Sequence, residues 1–126
     1  MSYEDLVGRA LAAKEKAYAP YSGIRVGAAV KTGDGAIFTG ANVENASYGL
    51  TICAERVAVA KAVTEGYRDI VAVAIVWEGE GFCTPCGACR QVLHEFGPGM
   101  RVIMTDAQGN YREEVLAALL PHAFGT

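Results

Sequence analysis

Apolar residues recur every three or four positions at Leu6, Ala10, Ala13 and Ala17 before the Ala19-Pro20 break, which predicts an amphipathic entry helix. Ser2 and Asp5 ahead of it have the spacing of a capping box. Residues 24–31 and 36–41 are β-leaning runs on either side of Gly33-Asp34-Gly35, a turn sequence that favours positive φ, so they predict an antiparallel hairpin. A polar loop over 42–49 leads into an Ala- and Val-rich helix over 52–63, stopped by Gly66. Residues 70–77 are continuously apolar, the pattern of a central strand covered on both faces, and a Gly-rich loop over 78–82 follows. A second helix over 86–96 is opened by Pro85 and closed by Gly97-Pro98-Gly99, and 101–105 reads as another strand. Gln108-Gly109-Asn110 turns the chain into a fifth strand, and a short helix over 114–120 ends at Pro121. Strands alternating with helices predict right-handed crossovers and a three-layer α/β/α sandwich with a mixed sheet of about five strands. No repeat or linker interrupts 1–126, so one domain is expected.

Composition narrows the classes of function. Hydrophobic residues make up 52% of the 126 and charged residues 20%, which excludes disorder and implies that some surface is buried by partners. The net charge of −3 lacks the basic excess that long nucleic acid requires. The longest apolar run, 70–77, is far short of the roughly 18–20 residues that span a membrane. The N-terminus is acidic and no secretory signal follows, so the chain is expected to start here and to work in the reducing cytoplasm. There, its four cysteines point to metal binding or catalysis rather than disulfides. With only two histidines, expected on the surface at His94 and His122, any metal must be held by sulfur.

Cys53-Ala54-Glu55 and Pro85-Cys86-Gly87-Ala88-Cys89 each fall where a helix begins after a loop or strand, the end of an α/β fold at which sites are built. Cys86 and Cys89 are three apart and share a helix face, and helix N-termini favour the thiolates that zinc needs. Cys53 would be a third ligand, leaving one tetrahedral position open, as in catalytic zinc sites. Glu55 supplies a proton handler, but residues two apart converge only at a helix entrance. Three thiolates around one Zn²⁺ carry a net charge of about −1, for which Arg56, and more weakly Arg90, can compensate. A rival reading is a closed structural zinc held by all four cysteines, Cys83 included, in a non-catalytic module where Glu55 is only a first-turn helix acid.

The two motifs match the zinc-dependent nucleobase deaminase signature. Over almost its whole length the chain resembles the small, homotetrameric cytidine deaminases. The resemblance rests on Tyr21-Ser22 with Val26-Gly27-Ala28-Ala29, on Asn42-Val43-Glu44-Asn45-Ala46-Ser47-Tyr48, on Cys53-Ala54-Glu55-Arg56, on Pro85-Cys86-Gly87-Ala88-Cys89-Arg90-Gln91 and on Leu119-Leu120-Pro121. It implies a cytidine deaminase-like fold, one zinc per chain on Cys53, Cys86 and Cys89, and hydrolytic deamination of cytidine and 2′-deoxycytidine in pyrimidine salvage. It implies that Glu55 takes a proton from zinc-bound water and passes it to ring N3 while the hydroxide attacks C4. It further implies that Asn42 and Glu44 hold the ribose hydroxyls, the Ala54 amide meets the base carbonyl and the Thr84 carbonyl accepts from the amino group. Arg56 would hydrogen-bond ligand thiolates, and Cys83 would be a free thiol. Ile24 stands where the family usually has an aromatic residue, so apolar contact replaces ring stacking and another small aminated heterocycle becomes an alternative substrate. Phe124 resembles the family's C-terminal aromatic, which enters a neighbouring subunit's pocket in a homotetramer.

Overall fold

The computed structural model describes residues 3–125. Four helices, α1 (Glu4–Lys14), α2 (Ala54–Thr64), α3 (Gly87–Phe96) and α4 (Leu116–Leu119), surround five strands, β1 (Val26–Thr32), β2 (Ile37–Ala41), β3 (Ile70–Trp77), β4 (Arg101–Thr105) and β5 (Tyr111–Val115). The strands form one mixed sheet in the order β2-β1-β3-β4-β5. The β1–β2 hairpin is antiparallel, with Gly27 opposite Ala41 and Lys31 opposite Ile37, and Gly35 takes the positive φ of the turn. β1 also pairs antiparallel with β3, whereas β3 and β4 run parallel. β2, β3 and β4 therefore point the same way, and α2 and α3, which follow β2 and β3, begin at the same edge of the sheet.

The pleat sends alternate side chains to two cores. Ala28, Val30, Val73, Ile75 and Val102 pack under the layer of α2, α3 and α4, against residues such as Ala58, Leu93 and Leu116. Ala29, Ala72, Ala74, Val76 and Ile103 face the other way, against Leu6 and Ala10 of α1. The expected three layers and the central strand at 70–77 are both found, although Val71 of that strand is exposed.

Several boundaries differ from expectation for identifiable reasons. Helix α1 ends at Lys14, short of Ala17, because the chain turns away so that Tyr18 can exchange backbone hydrogen bonds with Asn42 and Glu44. Tyr3 occupies its N-cap position, and the capping role expected of Ser2 lies outside the described residues. Strand β1 starts at Val26, not residue 24, because side chains hold the Ile24 peptide in a loop. Glu114 and Val115, expected to be helical, lie instead in β5, opposite Val102 and Arg101; the ladder hydrogen bonds outweigh local helix preference. His94, expected on the surface, is half-buried, and both its ring nitrogens are enclosed without a hydrogen-bond partner among the described residues. Among those residues no helix is long and apolar enough to cross a membrane.

Candidate metal centre and active site

Cys53 is the N-cap residue of α2 and Cys86 that of α3, and both have the extended backbone of a cap. Neither side chain bonds back to its own helix, as the Ser, Thr or Asp usual at this position would. The sulfurs instead turn towards each other. The Sγ atoms of Cys53, Cys86 and Cys89 all lie within 4.8 Å of one another, and Cys53 and Cys86 are 3.9 Å apart. A tetrahedral zinc with Zn–S bonds of ~2.3 Å sets its sulfurs roughly 3.8 Å apart, so the donor set and its spacing fit that ion with one position left open. Cys83 is buried on the cavity wall outside this group, and desolvation pushes its thiol up to about 12. A four-cysteine closed site is therefore not the arrangement found.

The electrostatics favour a thiolate at the helix entrances. Donation from Cys89, reinforced by Arg56, lowers the Cys53 thiol to about 5. Cys89, buried and acting as that donor, is correspondingly raised. Arg56 Nη2 lies 3.8 Å from Cys53 Sγ and donates at 3.3 Å to the Thr51 carbonyl, so it sits where charge compensation was expected. Arg90 does not: its Nε and Nη1 are spent on the Pro85 and Leu119 carbonyls at 2.8 and 2.7 Å. As the first residue of α2, Ala54 contributes one of the N–H groups that a helix leaves without an internal acceptor.

Glu55 is the second residue of α2, at the entrance where convergence with Cys53 is geometrically allowed. It is 4% exposed, and desolvation pushes its carboxyl up to about 7, with the negative charge of Cys53 acting in the same direction. It lines a cavity of about 190 Å³ together with Asn42, Cys53, Ala54, Cys83 and Thr84. Larger hollows elsewhere, such as one of about 490 Å³ beside Lys31 and Val71, contain none of the three clustered thiols. Thr51 and Val26 also line the site and had no expected role, although Thr51 lies two residues before Cys53 in sequence.

The candidate sugar and base contacts run from Asn42, on the wall of this cavity, to Glu44, Ile24 and Phe124, which do not line it. Buried Asn42 accepts from the Val26 N–H at 2.9 Å and donates to the Ile24 carbonyl at 3.0 Å, retaining one donor and one acceptor position. Glu44 accepts from the Tyr21 and Ser22 N–H groups and from Ser22 Oγ, and these bonds, the hydroxyl's first, hold its carboxyl below the usual range. Ile24 is 40% exposed, and the Phe124 ring is 84% exposed while its carbonyl accepts from Gln91 Nε2 at 3.1 Å. Ile24, Glu44 and Phe124 thus do not close over this chain's own cavity.

Zinc-dependent base deaminases are the class of protein in which a Cys-x-Glu helix entrance meets a Pro-Cys-x-x-Cys entrance in this way. The chain belongs to that family: the cytidine and deoxycytidylate deaminase zinc-binding region matches residues 1–105. It is 49% identical to a cytidine deaminase of Halalkalibacterium halodurans over 125 residues, covering 98% of this chain and 95% of the relative. Its fold superimposes on the crystal structure of a cytidine deaminase from Burkholderia pseudomallei with a TM-score of 0.94 at 52% identity, covering 98% of this chain and 100% of the other. A cytidine deaminase from Mycobacterium tuberculosis gives 0.87 at 41% identity, covering 100% of this chain and 99% of the other.

Proposed function

We propose that this chain, as a single catalytic domain, hydrolyses the exocyclic amine of cytidine and 2′-deoxycytidine to give the uridines and ammonia. The observation that carries the reading is the buried carboxyl of Glu55 at the mouth of the three-thiol centre. Cys53, Cys86 and Cys89 would hold the zinc, which when bound would supply the Lewis acidity that makes water acidic near neutral pH. Glu55 takes a proton from the attacking water and delivers it to ring N3 as the water oxygen adds to C4. Glu55 then passes the remaining proton of that oxygen to the amine, so that the C4–N bond breaks, ammonia leaves and the oxygen becomes the C4 carbonyl. Burial, with the Cys53 charge acting in the same direction, brings this carboxyl to about 7, which suits a group that must both accept and release protons at neutral pH. Asn42 and Glu44 hold the sugar with their remaining hydrogen-bond positions, the Ala54 amide meets the base carbonyl, and the Thr84 carbonyl accepts from the amine. Arg56 balances the thiolate charge, and Ile24 packs on the base.

The working form is a homotetramer in which Phe124 reaches a neighbour's pocket. The site's cavity is smaller than the roughly 300 Å³ at which nucleoside-sized pockets begin, which favours completion by another copy. The segments around it expose several large apolar side chains: Tyr18, Val43 and Ile52, whose backbones pair, and Tyr21, which stacks edge-on to Tyr48 at 5.9 Å. Sedimentation showing a fully active monomer would refute the tetramer. The cellular role is pyrimidine salvage in the cytoplasm, without long nucleic acid or membrane as partner.

The test is ultraviolet absorbance on mixing the protein separately with cytidine, deoxycytidine, cytosine and adenosine, with zinc quantified on the same sample. Loss of the cytidine and deoxycytidine bands with one zinc per chain is the expected result. Cytidine standing unchanged overturns the reading. Turnover of another compound alone would shift it to a different aminated heterocycle, for which the missing aromatic at Ile24 is the reason.

A further inference from the structure

Glu44 and Asn42 grip the same short segment from opposite ends. The Ile24 carbonyl accepts from Asn42 Nδ2, and the Ile24 N–H donates at 3.0 Å to Ser22 Oγ. That same Ser22 hydroxyl donates its proton to Glu44 Oε2 at 2.5 Å. Ser22 is thus the one atom-to-atom link between the carboxylate and the peptide that carries Ile24.

From this geometry we infer that Ser22 is a positioning residue that locks the sugar-holding carboxylate of Glu44 to the base wall at Ile24. The inference rests on the reading of Glu44 and Ile24 as nucleoside contacts. Glu44 Oε1 already accepts the Tyr21 and Ser22 N–H groups, which fills its two acceptor positions. Oε2 accepts only Ser22 Oγ, so one position is left for a substrate hydroxyl, and the Ser22 bond fixes the direction in which it points. A carboxylate held by Oε1 alone still turns about its terminal torsion, which is broad and weakly restrained. Ser22 is itself exposed, so its role is not that of core packing. Removing its hydroxyl leaves the two backbone donors on Glu44, and the freed Ile24 N–H can turn to water. The fold survives while the substrate meets a less ordered carboxylate and wall.

Ser22→Thr and Ser22→Val differ only by the hydroxyl, so steady-state kinetics on cytidine with this pair isolates it. Ser22→Val is expected to raise KM about tenfold, the scale of a lost hydrogen bond to a charged group, with kcat within about twofold of the parent. Ser22→Thr should restore KM to near the parent value, and the thermal midpoint should stay the same in both. In a Glu44→Gln background, Ser22→Val should raise KM by clearly less than tenfold, because its link to that carboxylate is already lost and only its hold on the Ile24 N–H remains. Equal KM values for Thr and Val, a loss confined to kcat, or full additivity with Glu44→Gln each overturns the inference while leaving the deaminase reading intact. A parent protein that leaves cytidine untouched overturns that reading, and this inference with it.

Discussion

The two faces of the sheet use the same backbone device for opposite purposes. Gly27 of β1 lies under α1, where an added Cβ would sit 2.0 Å from the Ala10 carbonyl oxygen and 2.6 Å from the Lys14 nitrogen. Gly40 of β2 lies under α2, where a Cβ would meet the Ala58 nitrogen at 2.6 Å and the Ala54 carbonyl oxygen at 2.7 Å. Both helices therefore ride directly on strand backbone. On the α1 face the close approach seals an apolar layer, and its charges stay at the exposed rim in pairs, Arg25 with Glu78 at 2.6 Å and with Glu15 at 3.2 Å. On the α2 face it presses a carboxyl into the interior beside three thiols. Close packing makes one face stable; on the other it creates the desolvation from which the chemistry is drawn.

The largest expected effect comes from neutralising that carboxyl. Glu55→Gln should keep about one zinc per chain and the fold, yet lose roughly 10²- to 10⁴-fold or more in kcat on cytidine. Zinc content measured beside turnover separates a lost proton carrier from a lost metal. Turnover at the parent rate would remove the reason for distinguishing the faces.

The two glycines test the comparison directly. Gly27→Ala must push α1 off the sheet and should cost about 3 kcal/mol in denaturant unfolding, at the upper end for overpacking because backbone must move. The molecules that remain folded should keep parent kcat. Gly40→Ala should cost a similar amount and also lower kcat, since shifting α2 moves Cys53 and Glu55 together. If both variants retain full kcat, α2 does not position the chemistry through this contact.

Much of this division was legible in the sequence. The alternation of strands and helices, the turn at Gly33-Asp34-Gly35 and the two cysteine motifs are short-range signals, and each lies where expected. The grouping of Cys53 with Cys86, 33 residues apart, was also correctly drawn, because strands running the same way bring successive helix entrances to one edge. What was not legible depends on partners distant in sequence. Arg90 looks like Arg56 in its motif, but only the fold shows the Leu119 carbonyl accepting its Nη1 hydrogen bond. Glu114 and Val115 read as helical until β4 supplies a ladder. Ser22 carries no signal of its own beyond its neighbour Tyr21, since its link to Glu44 spans 22 residues.

A smaller effect should appear in the pH dependence of stability, measured on protein stripped of metal by a chelator. Burial raises Glu55 from its ordinary 4.5 to about 7, so the folded chain holds the proton more tightly than the unfolded chain. The associated stability is full below about pH 4.5 and is lost as the pH rises through 7, amounting to about 3 kcal/mol at the alkaline limit. Glu55→Gln cannot ionise there, so its unfolding free energy should overtake that of the parent between pH 5 and 8. Parallel curves for the two proteins would show that this carboxyl is not desolvated.

The rim of the α1 face should respond with the opposite sign and least of all. Arg25 holds the Glu78 carboxyl down to about 2, so the pair contributes above pH 4.5 and its contribution disappears as the pH falls through 2. Because the pair is exposed, the difference in thermal midpoint between the parent and Glu78→Gln at neutral pH should be at most a few degrees, and should shrink in molar salt. Acid therefore loosens the α1 rim, whereas base burdens the metal-free α2 face, and the two titrations can be read separately in one protein. A salt-insensitive loss at Glu78 as large as that at Gly27 would mean that the α1 face depends on a charge as the α2 face does, and the contrast between structural and chemical faces would fail.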